Sequence, residues 1–322
     1  MKARIKIKIS EGHKRVFFLS DLYVARDFHR HLQEAIQFWK IPAELASQRR
    51  YRYHTDEYQS VLGEGSFGKV FKMIDTHTGQ IVAVKTIQKR RLTPLEYDFM
   101  LSEIEILRTL CRDSHPLIIK MLDVFEDTQT LSIVMEFIEG QTLLKWLTEI
   151  HKDNNFSEEI TQKVFKQICV ALQYIHRLGI IHRDIKLENV ILLDPYSTEP
   201  TIKLIDFGLS AVLLQGERRQ QPVGSVAFLS PEIVREQPHD FATDVWSLGI
   251  VLYTLLTGRM PFVTKTKDKT LFNIKYKEIN MKQTQWDNVS MQAKDLLVRM
   301  LAKNQKERLT IDQVLAHPWL QI

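Results

Sequence analysis

The sequence has little cysteine and no long apolar run. Its 322 residues contain two cysteines, Cys111 and Cys169, both in stretches with helical character. Two such cysteines match neither a disulfide framework nor a metal-site spacing, which favours a reducing compartment, and we expect a cytoplasmic protein. No apolar run is long enough to span a membrane, and Met1-Lys2 does not lead into an apolar signal segment. We therefore expect neither a disulfide-rich secreted protein nor a helical membrane protein.

A strong excess of charge of one sign is also lacking. The net charge is +5 and the isoelectric point is about 9.0. This balance admits an anionic partner such as a phosphate, a nucleic acid or an acidic membrane, but the charges are interspersed, which favours a mildly basic protein without a nucleic-acid partner. With 44% hydrophobic residues, the chain can bury a full core.

The first 40 residues predict two strands and a helix. Residues 2–9 alternate between basic and apolar side chains, which is the pattern of a strand with one wet face. A second apolar run, Val16–Leu19, predicts another strand, and helical spacing follows from Ser20 to Trp39. The polar residues 41–57 predict a linker. The basic face of the first strand indicates either a membrane contact or, more commonly, a solvated edge.

From Tyr58 onward a strand-rich half precedes a helix-rich half. Apolar strand-like segments dominate to about residue 90, one helix is predicted near residues 94–110, and two strands follow near residues 117–138. After Gly140 the pattern is mostly helical, and residues 243–257 are apolar almost all round, as in a fully buried helix. We predict an α+β fold with two lobes over residues 58–320 and a ligand cleft between the lobes.

A glycine-rich loop opens this region. Gly63, Gly65 and Gly68 form G-x-G-x-x-G, a pattern that dinucleotide-binding turns share. Such a turn leads from a strand directly into a helix, whereas here Val70 begins another strand-like run. The loop is therefore predicted to be a hairpin whose backbone N–H groups can approach phosphate oxygens.

Lys85 ends the apolar strand Val82-Ala83-Val84 and needs an anionic partner if it points inward. Two glutamates of the following helix are candidates, Glu103 and Glu105. They lie about 200° apart around a helix, so both cannot face the same lysine. Glu103 shares its face with the apolar Leu107, and at this point both glutamates stay candidates.

Two further motifs complete the set. His182-Arg183-Asp184 is followed by Lys186 and Asn189, and Asp206-Phe207-Gly208 follows a later apolar strand. With the glycine-rich loop and the strand lysine, these motifs resemble, in the same order, those of eukaryotic protein kinases. The resemblance covers roughly residues 58–320, and Lys186 is the residue typical of serine/threonine kinases. The C-terminal stretch resembles the calcium/calmodulin-dependent kinase group.

The resemblance implies that the protein transfers the ATP γ-phosphate to Ser/Thr hydroxyls of proteins, and it assigns a role in this reaction to each of several residues. Lys85, oriented by Glu103, would hold the α- and β-phosphates. Asp184 would act as catalytic base, Lys186 would offset charge on the γ-phosphate, and Ser225 would bridge Asp184 and Lys186. Metal binding is assigned to Asn189 and Asp206, with Mg²⁺ as the ion. The nucleotide site as a whole would comprise Leu62, Gly63, Glu64, Gly65, Ser66, Phe67, Gly68, Val70, Ala83, Lys85, Met135, Glu136, Ile138, Asn189 and Asp206.

Other residues would support this site. His182 is expected to pack under Phe207, and Arg183 to organise the activation segment that runs from Asp206 to Glu232. Glu232 is expected to pair with Arg308. Asp244 resembles the residue that fixes the buried helix in this family.

The activation segment has an unusual composition. Between Ser210 and Ser225 it contains no Ser, Thr or Tyr, and Gln221 stands where many related kinases carry a phosphorylatable residue. We expect that loop phosphorylation is not used here, and that Glu217 or nothing supplies the negative charge opposite Arg183.

Alternatives remain at the level of the whole chain. An inactive kinase-fold scaffold is one, although Lys85, Asp184, Asn189 and Asp206 are all present. The first 40 residues resemble the C-terminal part of a pleckstrin-homology domain, or they form an amphipathic extension, and membrane recruitment would rest on their basic face. No EF-hand loop follows before Ile322, so we expect no calcium control within these residues.

Overall fold

The computed structural model describes residues 3–10, 13–19, 50–65, 67–152, 157–282 and 284–321. The chain divides into two compact units, Met1–Tyr51 and Arg52–Ile322. Among the described residues, no helix is both long and apolar enough to span a bilayer.

The first unit contains an antiparallel hairpin. Strand β1 (Ala3–Ser10) pairs with β2 (His13–Leu19), and Ala3 lies opposite Leu19. Both strands were predicted from the alternating and apolar patterns. The helix expected between residues 20 and 39 lies outside the described residues. The roles suggested for this segment and the division into residues 1–40 and 41–57 therefore stay predictions.

An antiparallel sheet and one long helix, α1 (Pro94–Arg112), form the small half of the second unit. The sheet has the strand order β3, β5, β6, β8, β7, with β4 paired to β5. Its strands are β3 (Tyr51–Tyr53), β4 (Val61–Glu64), β5 (Lys69–Asp75), β6 (Ile81–Gln88), β7 (Met121–Glu126) and β8 (Thr130–Glu136).

Helix α1 begins where its sequence supplies a cap. The Thr93 hydroxyl accepts from the Glu96 amide, the Glu96 carboxylate accepts from the Thr93 amide, and Pro94 occupies the first turn. This capping box satisfies two amides that would otherwise lack partners. Along the helix, Glu103 and Leu107 are both buried, as their spacing predicts.

Helices form most of the large half. They are α2 (Leu143–Lys152), α3 (Glu158–Arg177), α4 (Pro231–Val234), α5 (Ala242–Thr257), α6 (Lys267–Tyr276), α7 (Met291–Met300) and α8 (Ile311–Leu315). Helix α5 is buried along nearly its whole length, which confirms the prediction for residues 243–257. Its apolar side chains belong to one hydrophobic core that also includes residues of α1 and α3.

Short strands at the edge of the large half carry the polar motifs. They are β9 (Gln141–Thr142), β10 (Ile180–Ile181), β11 (Val190–Leu192), β12 (Ile202–Leu204) and β13 (Ala211–Val212). Strands β9, β11 and β12 form one small sheet, and β10 pairs with β13. The segments that contain Asp184 and Asp206 lie directly before β11 and directly after β12.

Candidate active site

The glycine-rich loop is a hairpin, as the sequence predicted, and not the strand-to-helix turn of a dinucleotide-binding site. Strand β4 pairs with β5 in antiparallel register, and the Gly65 amide donates to the Gly68 carbonyl at 2.8 Å. A Cβ on Gly68 would lie 2.3 Å from the Thr86 carbonyl oxygen, so β6 approaches too closely for any larger residue. No such contact surrounds Gly63. Ser66 lies outside the described residues.

Strand register places four residues of the predicted nucleotide site on one face of the sheet. Val70 lies opposite Lys85, and Ala83 lies opposite Met135. Opposed residues of antiparallel strands point to the same side, as do residues two apart on one strand. Val70, Ala83, Lys85 and Met135 therefore share a face.

Glu136, the next residue along β8, directs its carboxylate away from this face. Its Oε1 accepts from Lys203 Nζ at 2.5 Å and from the Lys120 amide at 2.8 Å. Any contact of Glu136 with a nucleotide would therefore involve its backbone. Ile138, two residues on, is half-buried against the main core, and Leu62 on β4 is exposed.

Lys85 forms the centre of a buried ionic cluster. Its Nζ donates to Glu103 Oε1 at 2.6 Å and to Asp206 Oδ1 at 3.1 Å. Burial alone would lower the pKa of Lys85, but the two carboxylates outweigh it and raise the pKa above the ordinary value. The same lysine holds the pKa of Asp206 below its usual range. Glu105, the rejected alternative, is exposed and pairs with Arg108 instead.

A second cluster surrounds Asp184. Its Oδ1 accepts from the Ser225 hydroxyl at 2.9 Å, and its Oδ2 accepts from Lys186 Nζ at 2.6 Å. Lys186 also donates to Ser225 Oγ at 3.1 Å, so the three side chains form a closed triangle. The predicted bridging contact of Ser225 is therefore confirmed. Asn189 Nδ2 donates to the backbone and side-chain oxygens of Asp184, leaving its own amide oxygen for another partner.

The fold holds the two clusters next to each other. Val190 and Leu204 are register partners in β11 and β12, and the Ile205 amide donates to the Asn189 carbonyl at 2.8 Å. Asn189 therefore lies beside the residue that precedes Asp206. Both proposed metal ligands are positioned by this small sheet.

Backbone strain marks the same segments. Arg183 has φ of 66° and Asp206 has φ of 62°, in the left-handed region that side chains with a Cβ rarely adopt. Such residues cluster at functional sites, where surrounding contacts hold the strained conformation.

Asp244 holds the segment that contains Asp184. Its carboxylate accepts from the amides of His182 and Arg183, both at 2.8 Å, and from His176 Nε2 at 2.9 Å. Burial by itself would raise the pKa of Asp244, but these donors lower it, so the carboxylate stays ionised. The sequence predicted a role for Asp244, but His176 was missed, because it lies 68 residues away on α3.

The other supporting residues lie as predicted. The His182 and Phe207 ring centroids are 5.0 Å apart, and the His182 side chain is fully buried. Arg308 makes a two-pronged ion pair with Glu232, at 2.7 and 2.9 Å. Arg183 Nε donates to the Leu209 carbonyl at 2.6 Å, which ties the activation segment to the segment that contains Asp184.

The position of Ser225 depends on the glycine before it. Gly224 has φ of 116°, and a Cβ there would lie 2.7 Å from the Arg183 carbonyl oxygen. Only glycine fits this approach without displacement of one of the two segments.

The site can hold a divalent cation of the hard, oxygen-preferring kind. Asp206 offers an ionised carboxylate and Asn189 an amide oxygen, which are the ligand types that Mg²⁺ takes together with water and substrate phosphates. The described residues contain no cluster of three or more His, Cys, Asp or Glu side chains suited to a metal. This arrangement fits a metal site with two protein ligands, Asn189 and Asp206, in which phosphate oxygens take the remaining coordination positions.

Comparison with known proteins agrees with the geometry. A family model for the protein kinase domain matches residues 57–320. Calcium-dependent protein kinase 5 of Plasmodium berghei is 36% identical over 267 residues, covering 83% of this chain and 45% of that protein. Calcium-dependent protein kinase 12 of Arabidopsis thaliana is 37% identical over 261 residues, covering 81% and 52%. The chain thus spans about half the length of these curated relatives.

Proposed function

The chain belongs to the protein kinase family, and from this premise we propose that it transfers the γ-phosphate of ATP to serine and threonine hydroxyls of proteins. The observation that carries the proposal is the closed triangle of Asp184, Lys186 and Ser225 beside the Lys85–Glu103–Asp206 cluster. An inactive scaffold has no need for these two groups of charged side chains to be assembled together.

In this proposal Asp184 orients the attacking hydroxyl. The hydroxyl oxygen forms a bond to the γ-phosphorus, the bond to the β–γ bridging oxygen breaks, and the proton passes to the Asp184 carboxylate. Lys186, at 2.6 Å from that carboxylate, lies close enough to offset charge on the transferred group. Ser225 holds both side chains in this geometry.

Lys85 would bind the α- and β-phosphates. Glu103 is buried behind it and fixes the ammonium group, since a flexible lysine side chain would otherwise have many conformations. Asp206 and Asn189 would hold Mg²⁺, which supplies charge neutralisation on the phosphate oxygens when bound.

The preference for serine and threonine rests on Lys186. Residues at this position differ between the two classes of kinase, and the relatives' resemblance to this chain extends through the segment. The hydroxyl class can be tested directly with peptides that differ only in Ser, Thr or Tyr at the acceptor position.

The decisive experiment compares wild type with Asp184→Asn on a peptide array with ATP and Mg²⁺. General-base assistance typically contributes about 10²–10⁴-fold, so we expect a loss of that size in kcat. Asp194→Asn is the matched control, because Asp194 is exposed on the loop after β11 and its variant should keep wild-type activity. Equal phosphate incorporation by wild type and Asp184→Asn would refute the role of Asp184, whereas no incorporation above background by either protein would favour a scaffold.

A further inference from the structure

A cavity with two cationic side chains lies between the end of α4 and the segment after α7. Its volume is about 290 Å³, at the lower end of the range for small-ligand pockets, so it has room for one side chain and its backbone. The one acidic side chain in its wall is neutralised, because both oxygens accept from Arg308. We call it the Arg235–Lys303 cavity, and its lining residues are Glu232, Arg235, Gln237, Lys303, Asn304 and Gln305.

Both cations keep donors for a further partner. Arg235 Nη2 donates to the Lys275 carbonyl at 2.8 Å, and Lys303 Nζ donates to the Ile274 carbonyl at 2.8 Å and the Asn273 carbonyl at 3.5 Å. These bonds cap the C-terminus of α6, where carbonyls lack partners within the helix and cations are favoured. They use only part of the five N–H groups of a guanidinium and the three of an ammonium. Within the described residues, neither cation forms an ion pair with a carboxylate.

The Lys303 ammonium lies in mostly apolar surroundings. Its Nζ is 4.1 Å from the centroid of the Phe262 ring and 4.8 Å from that of Trp246. Burial lowers the pKa of Lys303 to about 8, and the charge of Arg235 acts in the same direction, although Glu278 acts in the opposite one. Burying a charge without a counter-charge costs free energy, so an anion in the cavity would stabilise this lysine.

An acceptor without a donor lies in the wall of the same cavity. Gln305 Nε2 donates to the Pro238 carbonyl at 3.2 Å, whereas the buried Oε1 has no hydrogen-bond partner among the described residues. A ligand seated against Gln305 can satisfy this oxygen only if it carries a donor close to its anion. An Asp or Glu residue of a peptide has both groups, a carboxylate and its own backbone amide.

Exposed aromatic side chains continue from the cavity along α6. Phe272 and Tyr276 lie one helical turn apart, are 60% and 61% exposed, and have ring centroids 5.0 Å apart. We call this pair the α6 ridge. Arg235 connects it to the cavity, since its Cζ lies 6.0 Å from the Tyr276 ring centroid. Residues 265–282 contain six lysines and two acidic residues, so the surroundings of the ridge are complementary to an acidic segment with apolar side chains.

We propose that the Arg235–Lys303 cavity and the α6 ridge bind an acidic segment of a partner protein. A carboxylate of the segment accepts from Arg235 and Lys303, the backbone amide of the same residue donates to Gln305, and a neighbouring apolar side chain packs on the ridge. The planar guanidinium suits a carboxylate because two parallel N–H groups can bind its two oxygens. The proposal does not depend on phosphoryl transfer, and its test measures binding alone.

Fluorescence polarisation of the full chain with pools of labelled heptapeptides tests the carboxylate. Each pool fixes Asp, Glu, Asn or Gln at the centre and carries mixtures of uncharged residues elsewhere. At constant ionic strength we expect the acidic pools to bind at least about 10-fold more tightly than the amide pools, and Arg235→Gln to remove most of this difference. Arg91→Gln is the matched control, because Arg91 is exposed on the turn before α1 and its variant should stay within about twofold of wild type.

Two further variants keep the test decisive if Arg235→Gln does not fold. Gln237→Glu places a carboxylate at the exposed rim of the cavity, where it should compete with the peptide and weaken the acidic pools. Phe272→Ala shortens the exposed ridge and should reduce any preference for apolar residues beside the acidic one.

Three results would overturn the proposal. The first is equal binding of acidic and amide pools, or equal loss in the Arg91 and Arg235 variants. The second is displacement of the acidic pools by inorganic phosphate at lower concentration than by unlabelled acidic peptide, which would indicate a general anion site. The third is binding to phosphatidylserine vesicles that Arg235→Gln abolishes, without binding of any acidic pool, which would assign the surface to a membrane.

Discussion

Ser225 connects the proposed base to the lysine beside it. Its hydroxyl touches two side chains of the proposed reaction centre at once. A hydroxyl can donate to Asp184 and accept from Lys186 at the same time, and no other small side chain does both except threonine.

We expect Ser225→Ala to lower kcat roughly 10- to 100-fold, since hydrogen bonds to charged groups are worth about 1.5–3 kcal/mol. Ser225→Thr keeps the hydroxyl and should stay within a few-fold of wild type. Steady-state kinetics with one peptide substrate would measure both variants. Equal loss in the two would mean that the site responds to side-chain size and not to the hydroxyl.

His182 is a buried neutral side chain. Burial lowers its pKa, although Asp244, Asp184 and Asp206 act in the opposite direction. Its Nδ1 accepts from the Asp184 amide at 3.3 Å, and its Nε2 is buried without a partner in the described part of the chain. Protonation of this ring in the folded state is therefore unfavourable.

This burial predicts acid sensitivity. Below the ordinary histidine pKa of about 6.5 the unfolded chain binds a proton that folded His182 resists, so stability falls as pH drops from 7 towards 5. His182→Phe should be less stable at pH 7 but lose less over this range. Urea unfolding at several pH values would measure it, with the exposed His77→Phe as control. If the free energy of unfolding depended on pH in the same way for wild type and His182→Phe, the acid sensitivity would not come from His182.

At the scale of the element, the glycine-rich hairpin shows that the glycines of one motif differ in how strictly the protein structure requires them. Gly68 has no room for a Cβ against β6, whereas Gly63 has open space around it in the protein alone. The motif alone suggests that Gly63 and Gly68 are equally important. The close packing of β6 shows instead that only Gly68 lacks room for a larger side chain.

We therefore expect Gly68→Ala to lower the free energy of unfolding by about 1–3 kcal/mol, as overpacking commonly does. Gly63→Ala should change it by less than about 1 kcal/mol. Denaturant unfolding without nucleotide would measure both. A Gly63 variant as unstable as the Gly68 variant would show that loop flexibility and not the contact with Thr86 decides the outcome.

Much of the site could be predicted because its residues lie in short motifs. Helical spacing showed that only one of Glu103 and Glu105 could face Lys85, and the resemblance of the motifs to those of protein kinases assigned that role to Glu103. The His176–Asp244 contact and the approach of Gly224 to Arg183 could not be predicted, because each joins segments far apart in sequence whose distance only the fold sets.

At the scale of the whole molecule, the ion pair between Glu232 and Arg308 joins α4 to the segment before α8. Arg308 also donates to the Ala242 carbonyl at the start of α5 and lies over the Trp246 ring. Burial by itself would raise the pKa of Glu232, but Arg308 lowers it, so the pair is ionic. Helix α4, the start of α5 and the segment before α8 are thus held together at one point.

Arg308→Met should lower stability by about 3–5 kcal/mol, because it leaves a buried carboxylate unpaired. The control is Arg299→Met, whose pairing with Asp295 on the surface of α7 is worth at most about 1 kcal/mol. Thermal and urea unfolding would compare them. Addition of Glu232→Met to Arg308→Met should restore part of the loss, and failure to do so would indicate that packing around Trp246 matters more than the charge.

The lack of a hydroxyl in residues 211–224 of the activation segment has a consequence for how long a signal at this segment lasts. An upstream kinase finds no acceptor in residues 211–224, and a phosphatase finds nothing there to remove. Since residues 211–224 cannot be phosphorylated, a signal that acts on them would arrive as a ligand that associates and dissociates. Its effect would end within the lifetime of that complex, whereas a covalent mark persists until a second enzyme removes it.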